Sequence, residues 1–377
     1  MSEGSVKKVF FVVGELSGDR VAAWYITKRF GTAGGRSEEL VCQGIGGNQM
    51  LNVGVELYAR FETLNVTGII EIIKHLPRLL RQINNLALYI KQQGFDEVIL
   101  VDFPGFNLRL AQRLRSIIPS LTITYASPPQ LWCWGAWRIK KLKRYCDQIV
   151  VMYPFEVDWY KQRGVNATWL GSPVYETLKP YYIDAPVEKK QRIALLIGSR
   201  KQEIEKLTPI FAQCLKLLAK RFPEVTFVIP LAASIDDQFI HEIFVHEGLC
   251  KYRSRIIMQR GEENKIKLLQ TCCCALSKPG TVTLELALLN IPTIIVYRTS
   301  WLTYLIARAL VSVRWMGLPN LLMKREVFKE HVQHLSNPDL VVASVSKLYT
   351  SFTRSGQTYK DASDVCSDIK DLLSGNE

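Results

Sequence analysis

A short, unbroken apolar run that ends in a glycine-bearing turn and passes straight into a helix-forming segment recurs along this chain. Val9 to Val13 (VFFVV) leads into Gly14 to Asp19 (GELSGD) and a helix-like Val21 to Phe30. Leu40 to Ile45 runs into Gly44, Gly46 and Gly47; Val98 to Val101 stops at Asp102, ahead of a helix-like Leu108 to Ile118. Strands that are apolar at consecutive positions must be covered on both faces, as parallel strands are when helices pack on both sides of the sheet. Leu121 to Ala126, Gln148 to Met152 and Ala167 to Leu170 complete a first series. From Ser172 to Gln191 the pattern lapses into prolines and charges, which reads as a linker. A second series follows: Arg192 to Ile197, Val225 to Leu231, Arg255 to Met258, Thr271 to Leu276 and Pro292 to Val296, with helices between, then Trp301 to Val313, Leu340 to Phe352 and Asp361 to Leu373 as helices. Two successive βα arrays without a repeat period predict an α/β fold of two Rossmann-like, doubly wound domains facing a cleft. The expected boundaries are 1–175 and 176–354, with a C-terminal helix at 355–377 packing back on the first domain.

The 377 residues suffice for two sizeable cores. With 48% hydrophobic and 22% charged residues the chain is globular rather than disordered. Its net charge of +13 favours phosphorylated ligands, polyanions or anionic membrane surfaces. No apolar run reaches the ~18–20 residues that span a bilayer, and the N-terminal segment reads as no secretory signal, because Glu15 and Asp19 follow its short apolar run at once. Cysteines number nine, an odd count. Neighbours in a strand point to opposite faces, so Cys272, Cys273 and Cys274 make no compact metal site; they read as buried apolar residues of a reducing compartment.

Ser277 to Asn290 (SKPGTVTLELALLN) concentrates the chemistry. A strand, a Pro-Gly break and a helix opening at Thr281 offer backbone amides and the positive end of a helix dipole at one point, a natural phosphate site. Glu285, about one turn in, is placed to accept hydrogen bonds from a ribose diol; the alternative is a surface turn with a solvated glutamate. Gly14 and Gly18 let backbone approach a ligand, while Ser17 or Asp19 could equally cap the following helix. That turn lacks the dinucleotide-binding glycine spacing. Asp102 stands at a strand end, where ligands of parallel sheets bind, in surroundings that could raise its pKa toward general-base duty; the alternative is a helix cap. Val66 to Leu80 mixes apolar residues with Lys74 and Arg78, and Pro77 should interrupt any helix there. It reads either as core or as a surface for an anionic membrane or acyl chains. Arg138 to Arg144 (RIKKLKR) carries five basic residues in seven beside a tryptophan-rich loop; no RNA-binding signature accompanies it, so nucleic acid is not an expected partner.

Taken in order, GELSGD, GIGGNQM (Gly44 to Met50), VTGIIEIIKHLPRLL (Val66 to Leu80), VDFPGFN (Val101 to Asn107), ASPPQLWCW (Ala126 to Trp134), LLIGSRKQEI (Leu195 to Ile204), GTVTLE (Gly280 to Glu285) and LPNLL (Leu318 to Leu322) resemble the lipid-A-disaccharide synthase family. These are glycosyltransferases of the GT-B architecture, and the motifs span nearly the whole chain. The resemblance implies an inverting transfer that joins UDP-2,3-diacylglucosamine to 2,3-diacylglucosamine 1-phosphate and releases UDP, with no metal and no cofactor. It also implies a peripheral position on the cytoplasmic face of the inner membrane and a swapped homodimer. Residue by residue, Asp102 matches the candidate base, and Glu15 and Ser17 would face the transferring sugar. Arg200, Ser199, Gly280 and Thr281 would meet the diphosphate, Glu285 the ribose, and Asn320 the pyrophosphate or sugar. Val66, Ile69, Ile70, Ile73 and Leu76 would meet acyl chains, and Arg138 to Arg144 could add attraction to anionic headgroups. The chain departs from the family pattern at Ile197, Lys278-Pro279, Ser172 and Gly105; Lys278 would supply a phosphate contact of its own. The rival readings are another GT-B transferase or epimerase acting on a UDP-sugar, and a non-catalytic membrane-associated homologue.

Overall fold

The computed structural model describes residues 6–31, 40–64, 76–182 and 187–375. The chain divides into two compact units, Met1–Pro173 and Val174–Glu377.

The first unit is built on strands β1 (Lys7–Val12), β2 (Leu40–Gly46), β3 (Glu56–Arg60), β4 (Glu97–Val101), β5 (Thr122–Ala126), β6 (Gln148–Val151) and β7 (Ala167–Trp169). Its helices are α1 (Leu16–Phe30), α2 (Asn48–Asn52), α3 (Leu76–Gln93), α4 (Pro104–Ile117), α5 (Ile139–Tyr145) and α6 (Pro154–Lys161). The sheet order is β3-β2-β1-β4-β5-β6-β7, and every pairing is parallel. The apolar run of β1 shows why: Phe10 and Val12 face a core shared with Leu79, Ile83, Leu86 and Ile90 of α3 and Leu110 and Leu114 of α4. Val9, Phe11 and Val13 face the opposite core, with Ala22, Tyr25 and Ile26 of α1. Each such side chain, fully removed from water, contributes roughly 1.5–3 kcal/mol.

Pro77 lies within the described stretch of α3, which runs from Leu76 to Gln93; the residues before Leu76, where the interruption by Pro77 was expected, lie outside the described residues.

The second unit carries β8 (Lys190–Leu196), β9 (Thr226–Pro230), β10 (Ile256–Gln259), β11 (Cys272–Ser277), β12 (Thr293–Tyr297) and β13 (Glu330–Val332) in the order β10-β9-β8-β11-β12-β13, again all parallel. After the short helix α7 (Pro173–Leu178), its helices are α8 (Lys201–Arg221), α9 (Asp237–His246), α10 (Glu262–Gln270), α11 (Thr281–Leu288), α12 (Trp301–Leu310), α13 (Leu318–Leu322), α14 (Pro338–Thr353) and α15 (Gln357–Ser374). Ile193, Leu195 and Ile197 pack against Ile204, Leu207 and Phe211 of α8 and Val341 and Val345 of α14. Cys272, Cys273 and Cys274 are wholly buried in β11. The expected return of the C-terminal helix to the first domain is corrected: α15 belongs to the second unit and packs on α11 and α14.

Both sheets are doubly wound. In the first, the chain goes from β1 outward to β2 and β3 and then restarts at β4 on the other side; in the second, β8, β9 and β10 go one way and β11, β12 and β13 the other. Each sheet therefore has one switch point, between β1 and β4 and between β8 and β11. The crevice outside the carboxyl ends of those strands is where such sheets bind ligands.

Candidate functional site

At the first switch point, β1 runs out into Gly14, and a Cβ there would collide with the ring of Phe103, which follows β4. Only glycine lets the two strand ends close up. Glu15 is the N-cap of α1, and the Ser17 hydroxyl donates to its Oε1. Asp102 and Phe103 both adopt left-handed backbone, φ 49° and 47°, a conformation that costs non-glycine residues of order 1–3 kcal/mol each and persists only when the surroundings enforce it. The enforcement is visible. The Asp102 N–H donates to the carbonyls of Ala126 (3.3 Å) and Ser127 (3.2 Å). The Asp102 carbonyl accepts from the Tyr125 hydroxyl (2.6 Å) and from Asn107 Nδ2 (2.9 Å). Asn107, fully buried, also donates to the Val101 carbonyl (3.2 Å) and the Val12 carbonyl (3.4 Å), stitching β1 to β4 below the carboxylate.

The Asp102 carboxyl is half-buried. Desolvation pushes its pKa up, and the negative charge of Glu15 pushes it further; a hydrogen bond from the Phe103 amide only partly offsets them. Asp102, Glu15 and Ser17 thus occupy one switch point. Asp102 is not the cap of α4, whose N-cap is Phe103.

Asp19 caps neither α1 nor any part of its own segment. Its buried carboxylate accepts from the amides of Gly47 (2.7 Å), Gln49 (2.9 Å) and Met50 (3.3 Å), closing the N-terminus of α2 from a different helix. GELSGD and GIGGNQM are thereby one structural piece.

At the second switch point β8 ends in Gly198 (φ 130°), Ser199 and Arg200, the N-cap of α8, and β11 ends in Lys278, Pro279 and Gly280 (φ 134°), the N-cap of α11. The strand ends are tied by the Lys278 N–H donating to the Leu196 carbonyl (3.3 Å). Arg200 and Thr281 are exposed, and the first amides of α11 have no intrahelical acceptor. Glu203 joins the two turns: its Oε2 accepts from the Ser199 amide (3.2 Å) and its Oε1 pairs with Lys278 Nζ (3.1 Å). Burial pushes the Glu203 pKa up, but Lys278 and the Ser199 amide outweigh it and hold the carboxyl below its ordinary range. Glu285, one turn into α11, lies 3.5 Å from Lys265 Nζ. A guanidinium, an ammonium and a helix mouth at adjacent strand ends make a corner suited to a diphosphate.

Asn320 departs from expectation. It is fully buried, its Nδ2 donates to the Phe328 carbonyl (2.7 Å) and Glu330 Oε1 (2.7 Å), and its Oδ1 accepts from the amides of Val327 and Phe328 (both 2.8 Å). Every hydrogen-bonding valence is spent inside the protein, leaving none for a pyrophosphate. Glu330 in turn accepts from the Met316 and Gly317 amides (both 2.9 Å), capping α13, which packs on α11. Asn320 therefore supports the helix behind the anion corner.

Val66, Ile69, Ile70 and Ile73 lie outside the described residues, as does the side chain of Leu76. Asn107, Tyr125 and Glu203 were not singled out from the sequence. The one signal for Asn107 was an amide set between Phe106 and Leu108 in the first turn of a buried helix. Among the described residues no helix is long and apolar enough to cross a membrane.

The chain matches the family described as lipid-A-disaccharide synthetase over residues 9–375. Among curated relatives it is similar to lipid-A-disaccharide synthase of Acinetobacter baylyi, 31% identical with 98% of this chain and 94% of the relative covered. It is likewise similar to that of Myxococcus xanthus, 32% identical with 91% and 88% covered. Among solved structures, the S. aureus MnaA–UDP co-structure superposes with a TM-score of 0.60 at 12% identity, covering 98% of this chain and 97% of that one. A UDP-GlcNAc 2-epimerase from Neisseria meningitidis bound to UDP-GlcNAc gives 0.56 at 11% identity, covering 97% and 99%. At such identities these two establish the GT-B-type fold alone.

Proposed function

The chain belongs to the lipid-A-disaccharide synthase family, hexosyltransferases of lipid A biosynthesis, and from that premise we propose that it joins UDP-2,3-diacylglucosamine to 2,3-diacylglucosamine 1-phosphate with inversion, releasing UDP. The observation that carries this reading is the content of the two switch points: a desolvated carboxyl with a raised pKa in one unit, and a cationic, amide-rich corner in the other.

In this reading the diphosphate of the donor rests on Arg200, Ser199, Lys278 and the Gly280–Thr281 helix mouth, and Glu285 accepts from the ribose hydroxyls. As the bond from the anomeric carbon to the diphosphate breaks, negative charge grows on the leaving oxygen, where fixed cations and amides stabilise it. Asp102 takes the proton from the attacking acceptor hydroxyl. Its raised pKa makes it a stronger base than an ordinary aspartate, and Glu15 both strengthens that basicity and, with Ser17, faces the transferring sugar. Two further parts of the reading are work at the anionic cytoplasmic face of a membrane, favoured by the +13 charge, and a swapped homodimer.

The test is release of UDP from the acylated donor with and without the phosphorylated acceptor. Release is expected only with acceptor, and it should survive a chelator. Asp102→Asn should lose about 10²–10⁴-fold in turnover, the range of a missing general base, while still binding UDP in a calorimetric titration. A variant that turns over normally would remove Asp102 from the mechanism.

A further inference from the structure

Between Ser127 and Cys146 the first unit carries no acidic residue, three tryptophans and five cations. The structure sorts them. Trp132 is turned inward: it is 6% exposed, and its Nε1 donates to Glu156 Oε1 at 2.7 Å, while Glu156 Oε2 accepts from the Met152 and Tyr153 amides (both 2.9 Å). Leu131 and Leu142 are buried beside it, pinning the loop and α5 to the core. With its inner side fixed in this way, the segment turns two indoles outward. Trp134 is 42% exposed and Trp137 63%, ring centroids 6.0 Å apart and edge to face. The Arg138 guanidinium lies 4.1 Å over the Trp134 ring. Lys140, Lys141, Lys143 and Arg144 are exposed on α5, and Lys161 and Arg163 at the end of α6. A Cβ on Gly164 would lie 3.2 Å from Lys143 Nζ, so the two cationic groups adjoin.

We propose that Trp134, Trp137, Arg138 and the exposed face of α5 form a docking surface for an anionic lipid bilayer, with the indoles at headgroup depth and the lysines over the phosphates. Amphipathic indoles settle at that level, and clustered Lys and Arg are drawn to anionic leaflets. RNA is the other polyanion that suits such a patch, but base stacking needs an open ring face, and Arg138 already covers one face of Trp134. The inference deepens the membrane part of the proposed function and rests on it, while standing apart from the sugar-transfer chemistry.

The test is flotation of the full chain with vesicles of phosphatidylcholine alone or of equal parts phosphatidylglycerol and phosphatidylcholine, at fixed salt. Binding is expected only to the anionic vesicles. Either Trp134→Ala with Trp137→Ala, or Lys140→Glu, Lys141→Glu and Lys143→Glu together, should weaken it at least about tenfold. Both variants should still transfer sugar between detergent-dispersed substrates. Quenching of indole fluorescence by brominated anionic lipid reads the same contact in the unaltered protein, so a variant that misfolds does not decide the matter; quenching is expected, and its absence overturns the proposal. So do unchanged affinity in both variants, equal binding to neutral vesicles, or tighter binding to single-stranded RNA than to anionic vesicles. An unaltered protein that docks on vesicles but transfers no sugar from detergent-dispersed substrates would overturn the reaction and leave the surface standing.

Discussion

At the scale of single residues, two charged groups meet at each switch point. Asp102 titrates above the ordinary aspartate value of about 3.9 because it is desolvated and faces Glu15. Its carboxylate, the form that accepts a proton, therefore appears only at a higher pH, and with Asp102 as the proposed base the acidic limb of kcat/KM should be displaced upward. Glu15→Gln removes the second cause and should move that limb to lower pH; a limb that stays put would show that Glu15 does not tune the base. The sign for stability follows from the same shift. A carboxyl whose pKa is raised in the fold prefers its proton there, so folding loses stability as pH rises from the unfolded pKa through the folded one. In the other unit Lys278 is a cation held ready, 3.1 Å from Glu203. Lys278→Ala should weaken UDP binding by about tenfold, as expected for one charge-assisted contact at a partly solvated site, measured by titration calorimetry. Unchanged affinity would assign Lys278 to the turn alone.

At the scale of elements, the Asp19 cap makes a test of local architecture. Asp19→Ala strips three buried or half-buried amides of their acceptor and should cost about 2 kcal/mol, seen as a lower denaturation midpoint. The longer helices and the inner strands were legible because their signals are strong, VFFVV in β1 and the turn after TCCCAL among them, whereas the short helices α2, α6 and α13 were not. The edge strands β3 (ELYAR) and β13 (EHV) were not either: β3 alternates half-buried with exposed residues instead of forming an apolar run, and β13, though largely buried, is three residues long and two of them are a glutamate and a histidine. Asp102, Glu15 and Ser17 could be read as strand-end residues before any coordinates. What could not be read was the partner of Asp19, a helix 28 residues away, or the burial of Asn320. Sequence carries the period of an element, but not which of its polar side chains are spent on a neighbour's backbone.

At the scale of the whole molecule, each unit closes its own core around its own sheet. Heating should therefore give two separable transitions in a calorimeter. UDP at about a hundred times its Kd should raise only the one belonging to residues 174–377, by the equivalent of about 2.7 kcal/mol. A shift shared equally by both would mean that the units melt as one.

The two switch points have a longer consequence. Because the turns at Ser199–Arg200 and Lys278–Gly280 and the turn at Asp102 are held by separate sheets, with no strand in common, drift in one leaves the other's foundations untouched. Under the proposed reaction, a lineage built this way can change which hydroxyl it sweetens without relearning how to hold its activated sugar.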